Sequence, residues 1–135
     1  MTTIMVPLDG SELSEAALPV AEWLARGLGA ELLLVMVGHV PETSVQAANE
    51  RADLEAMLER AAGRMQGLAI RRRLGISNSP SQGIIDVIAE ELPDLVVMST
   101  HGRSGWAELV QGSVAEEVVR AGLVPVTLVH PQRDS

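Results

Sequence analysis

A chain of 135 residues with 47% apolar content and neither Phe nor Tyr is sized for one domain with an aliphatic core. The absence of cysteine excludes disulfides, thiolate zinc sites and thiol catalysis. A formal charge of −8 argues against nucleic-acid and anionic-membrane partners, and a basic set made only of Arg excludes the Walker A lysine.

His39, His101 and His130 lack the spacing of a metal site. The start, "MTTIMVPLDGSE", has neither the basic nor the apolar region of a secretion signal. No apolar run reaches the roughly 18 residues of a membrane span. A soluble, cytoplasmic protein is expected.

Residues 3–8, "TIMVPL", read as a strand buried on both faces. Ser11 is a candidate N-cap, with Glu12 and Glu15 in the first turn of the helix that follows. Leu13, Ala16, Ala17, Val20, Leu24 and Leu28 recur at helical spacing. Pro19 either kinks that helix or confines the preceding turn, and Gly27 and Gly29 mark its stop. Residues 31–37, "ELLLVMV", form a second buried strand. A long helix follows, its core stripe made of Leu54, Met57, Leu58, Ala61, Ala62, Met65 and Leu68.

Residues 70–76, "IRRRLGI", read as an edge strand, because Arg71, Arg72 and Arg73 cannot all be buried. Solvated arginines there discourage edge pairing. Ser79, Pro80 and Gln82 predict a capped helix start with a capping box. Residues 94–99, "DLVVMS", form the fourth strand, residues 112–121 a helix and residues 124–130, "VPVTLVH", the fifth strand. Strict β-α alternation predicts an α/β fold: an open, doubly wound, five-stranded parallel sheet in the order 3-2-1-4-5 with helices on both faces.

Ligands of such sheets bind beyond the carboxyl ends of the strands, where the strand order reverses. Asp9 stands at the tip of strand 1, and "MSTHGRSG" ends strand 4. Gly102 and Gly105 let a ligand approach the backbone, and a helix starting at Gly112, Ser113 and Val114 presents free N–H groups to a phosphate. Arg103 is a cation within reach of the same space. The plainer alternative makes Ser113 an N-cap, the glycines a turn and Arg103 solvated. The length of this connection, beyond the usual 2–6 residues, leans toward function. A KH loop, a nucleophile elbow and a GxGxxG fingerprint all fail on inspection. His101 has no positioned partner, so a ligand-contact or structural role ranks above catalysis.

These residues together resemble the universal stress protein family. Its ATP-binding members carry Gly-x2-Gly-x9-Gly-Ser/Thr. Here the register runs from Ser99 to Gly102 and then to Gly112 and Ser113, with "VPLDGS" and "VPVTLVH" at the two ends. The resemblance implies an adenine-nucleotide-binding fold. Pro7, Leu8 and Asp9 would lie against adenine and ribose, and Val37 and Met98 would line the base pocket. Gly102, Gly112, Ser113 and Val114 would hold ribose and phosphates, with Arg103 and His101 as further candidates. ATP would bring Mg2+ with it. The departure is Ser99 in place of the first Gly; its side chain either crowds the ribose–phosphate path or donates a hydrogen bond. The resemblance further implies a homodimer through the C-terminal strand, against which stands a monomer whose edge is blunted by Pro125 and the terminal segment. The functional expectation is an ATP-binding regulatory module of the stress response, at most a slow ATPase. Its alternatives are a family member that binds no nucleotide and acts through protein contacts, and an enzyme built on Asp9, His101 and Arg103.

Overall fold

The computed structural model describes residues 1–100 and 113–131. Strands β1 (Thr3–Pro7), β2 (Glu31–Gly38), β3 (Ile70–Ile76), β4 (Leu95–Ser99) and β5 (Val126–Val129) form one parallel sheet in the order β3-β2-β1-β4-β5. The helices are α1 (Glu12–Glu15), α2 (Ala17–Leu28), α3 (Ser44–Gly63), α4 (Pro80–Glu91) and α5 (Ser113–Ala121). The predicted fold class and strand order are those observed.

Because strand side chains alternate, the sheet builds two cores. Ile4, Val6, Leu32, Leu34, Met36 and Val97 pack on α2 and α3. Met5, Leu33, Val35, Val96 and Met98 pack on α4 and α5. With no Phe or Tyr to fill space, α2 presents Ala17, Ala21 and Ala25 to the sheet and can lie close to it. Leu54, Leu58 and Ala61 of the predicted α3 stripe are buried; Met65 is buried just past the helix end.

Three local expectations resolve differently from the simplest form. The first predicted helix is two helices. Pro19 has no N–H for the Glu15 carbonyl, so the chain closes α1 at Ala16 and restarts, leaving Pro19 in the first turn of α2 where no partner is needed. The capping box is half formed. Ser79 Oγ accepts the Gln82 N–H at 3.3 Å, but the Gln82 amide turns to Asp86 Oδ1 at 2.8 Å. On the edge strand β3, two of the three arginines are paired and not simply solvated. Arg71 reaches Glu31 at 3.1 Å and Glu91 at 3.2 Å, and Arg73 reaches Glu91 at 2.7 Å and also Glu90. Arg72 is exposed. Among the described residues, no helix is long and apolar enough to cross a membrane.

Candidate functional site

The crevice begins with a missing hydrogen. Leu8 N–H donates to Val35 O at 2.8 Å, and Asp94 N–H donates to Thr3 O at 2.9 Å. Backbone groups alternate in direction along a strand, so even-numbered β1 residues face β2 and odd-numbered ones face β4. Pro7 faces β4 and has no N–H to offer. The pairing follows from this. β1 is registered with β2 from Thr3 to Pro7, but with β4 only at Ile4 and Met5. β4 itself continues along β5 as far as Ser99 and Val129. The sheet therefore parts between the carboxyl ends of β1 and β4, where the strand order reverses.

Asp9 stands on the β1 side of this opening, held by its neighbours. Its Oδ1 accepts from Ser11 N–H at 2.9 Å and from Ser11 Oγ at 2.6 Å. The Ser11 hydroxyl also accepts the Ser14 N–H at 3.1 Å, which is the predicted N-cap of α1. Ser14 Oγ accepts the Asp9 N–H at 3.2 Å and donates to Ser11 O at 2.9 Å. Gly10, at φ 88°, makes the reversal that brings these groups together. Sequence reasoning found the Ser11 cap and missed Ser14. The Asp two residues before a Ser cap is the signature of an Asx turn and was the available signal.

The other predicted residues divide by face. Met98 is buried and Val37 half-buried, both in the core beneath α4 and α5, and Val114 at the start of α5 packs against the same core. Pro7, two residues on from Met5, shares that face. Leu8 packs instead into the α2–α3 core, and Ser99 is in step with Val97 on that side. Ser99 is 8% exposed. Gly102, Arg103 and Gly112 lie outside the described residues, as do His101 and the side chain of Ser113.

Several rim contacts had no sequence signal, because each joins segments far apart in the chain. Ser81 at the start of α4 is buried and donates to the Glu117 carboxylate on α5. Thr100 N–H donates to Val129 O at 2.9 Å, and Thr100 Oγ1 lies 3.1 Å from His130 Nδ1, fastening the ends of β4 and β5. After β2, Glu50 accepts the His39 N–H at 2.9 Å and lies 3.0 Å from His39 Nδ1, while Asn78 Oδ1 accepts the Val40 N–H at 3.0 Å. The described residues thus place Pro7, Val37, Met98 and Val114 on one apolar face of the sheet and a held carboxylate at the end of β1. Such a surface suits a flat apolar ring whose attached hydroxyls can donate to the carboxylate. Among the described residues, no group of three or more His, Asp or Glu side chains could hold a metal ion.

Comparison with known proteins gives the family and the fold of the chain. The model of the universal stress protein family matches residues 1–130. A Thermus aquaticus relative, described as a universal stress protein in QAH/OAS sulfhydrylase 3'region, is 33% identical over 135 residues, covering 95% of this chain and 98% of its own. A universal stress protein of Mycobacterium tuberculosis is 32% identical over 136 residues, covering 94% of this chain and 45% of the relative, so this chain spans about half of that longer protein. A crystal structure of a universal stress protein in complex with cAMP superposes with a TM-score of 0.81 at 26% identity, covering 97% of this chain and 98% of the other.

Proposed function

The chain belongs to the universal stress protein family, and from that premise we propose that it binds an adenine nucleotide in the β1/β4 crevice as a regulatory module of the stress response. The parting of β1 from β4 at Pro7 carries this reading, because it falls at the strand-order reversal, where ligands of such sheets bind. The similar protein in complex with cAMP supports the ligand class.

In this reading the base lies along Pro7, Val37 and Met98, with Leu8 supporting the strand end from the opposite face. Asp9 meets the ribose. Gly102, Gly112 and Ser113 hold the phosphates, Val114 closes the α5 side and Arg103 supplies positive charge. The nucleotide is ATP, and Mg2+ arrives with it, coordinated mostly by phosphate and water. Ser99 is in step with Val97, away from the face that carries Pro7 and Met98, which supports its tolerance in place of glycine. Hydrolysis is at most slow, since the sequence offers no convincing base to activate water. The protein works in the cytoplasm as a homodimer joined through β5, without nucleic-acid or membrane contacts, as a net charge of −8 favours.

Calorimetric titration of nucleotide-stripped protein with MgATP tests the reading. Binding at micromolar concentration is expected, with Gly112→Val weakening it beyond detection. A folded protein that gives no heat up to millimolar MgATP would remove ATP and leave a family member that acts through protein contacts.

A further inference from the structure

We propose that Ser14 and Ser11 are positioning residues that hold the Asp9 carboxylate ready to accept a ribose hydroxyl, an inference that rests on the nucleotide reading above. Ser14 lies in a four-residue helix and is 6% exposed, yet its hydroxyl does more than close that helix. It accepts from the Asp9 N–H at the strand end and donates to the Ser11 carbonyl at the helix start. That places one buried oxygen between the element that carries Asp9 and the element that caps it. Ser11 contributes from the other side, giving both its N–H and its hydroxyl hydrogen to the same carboxylate oxygen.

An aspartate on a loop ordinarily rotates about two side-chain torsions. Here the backbone of Asp9 is tied by one serine and its carboxylate by the other. These bonds lie within the chain itself, so binding does not have to supply the order they impose. A carboxylate is an acceptor only, so among the groups of a nucleoside it discriminates in favour of hydroxyl donors such as those of the ribose. Its orientation then sets how strongly those hydroxyls are recognised.

The experiment compares MgATP with its 2′,3′-dideoxy analogue by calorimetry on the unsubstituted protein, Ser14→Ala and Ser11→Ala. The unsubstituted protein is expected to prefer MgATP by roughly tenfold or more, the size of a hydrogen bond to a charged group. Both substitutions should bring that preference toward one, chiefly by weakening MgATP. If both ligands weaken together and the preference survives, the serines are structural only and the proposal falls. If the unsubstituted protein shows no preference, Asp9 does not take a ribose hydroxyl; the proposal falls and the nucleotide reading stands. Absence of binding to either ligand removes both. Should Ser14→Ala fail to fold, the preference of Ser11→Ala, altered at a partly exposed position, decides the matter.

Discussion

Gly83 shows how one missing atom sets how closely α4 meets the end of β2. A Cβ built there would lie 2.5 Å from Val37 Cγ1 and 3.2 Å from Ser77 Cβ. Valine is stiff about χ1 and cannot swing aside. The bare backbone of α4 therefore lets the helix settle against Val37 at the end of β2. Gly83→Ala gains helix propensity of about 1 kcal/mol, but overpacking costs about 1–3 kcal/mol. A net loss in urea unfolding is expected, with Val37→Ala in the same chain recovering part of it. At Gly63, near the end of α3, an added Cβ meets nothing within 4 Å, so Gly63→Ala should instead stabilise by up to about 1 kcal/mol. If the two substitutions behave alike, the contact with Val37 is not what decides the outcome.

The edge strand β3 and the end of α4 are joined by charge. The Arg73 guanidinium first, and Arg71 with it, hold the Glu91 carboxyl below the usual carboxylate range, against the opposing effect of burial. A carboxyl lowered on folding contributes stability above its unfolded pKa, near 4.5, and loses that contribution as pH falls through the lower folded value. The arginines stay charged throughout. Glu91→Gln should therefore cost about 1 kcal/mol at pH 7 and flatten the decline in stability below about pH 4.5, measured by urea unfolding across pH. An acid decline as steep as that of the unsubstituted protein would show that the pair carries no pH-dependent stability. The same region shows what could be read from sequence. Three arginines in a row placed β3 at an edge, because burial of all three is prohibitive. Their partners were not legible, since Glu90 and Glu91 lie 17 to 20 positions further on and meet them only after the crossover. Apolar runs and caps are local signals, so the strands and helix starts were accessible, and the strand order came with the fold class. Pro19 announced a break but not its location, because a missing N–H is harmless in any first turn. Asp9 was singled out by its place at a strand tip and Ser11 as a helix cap, whereas the link through Ser14 became visible only as hydrogen bonds. Gly102, Arg103 and Gly112 came from the loop's composition and the helix start after it, and motif spacing added to Gly102 and Gly112.

The two edges of the sheet are unlike, and that contrast bears on which edge could pair with a second copy. β3 is laced with ion pairs, while residues 121–132 contain no acidic residue and no Arg. Leu128 is 45% exposed on β5, and Leu123 is 49% exposed beside it. Pro125 does not blunt this edge. Its carbonyl accepts from Val96 N–H at 3.0 Å, and Val129 O accepts from Thr100 N–H at 2.9 Å, so odd-numbered residues face β4. By alternation Val126 and Leu128 direct their backbone groups outward, where a second β5 can pair antiparallel with them about a two-fold axis. An uncharged strip is also where two chains of charge −8 can approach most closely. Light scattering at micromolar concentration should then give twice the mass of the chain. Leu128→Pro removes an outward N–H and an apolar side chain but leaves the bonds to β4 in place, so it should yield a folded monomer with unchanged circular dichroism. A monomeric unsubstituted protein would rule out this pairing. A dimer that survives Leu128→Pro would move the interface away from β5, since an edge that has lost its central outward donor cannot complete the ladder.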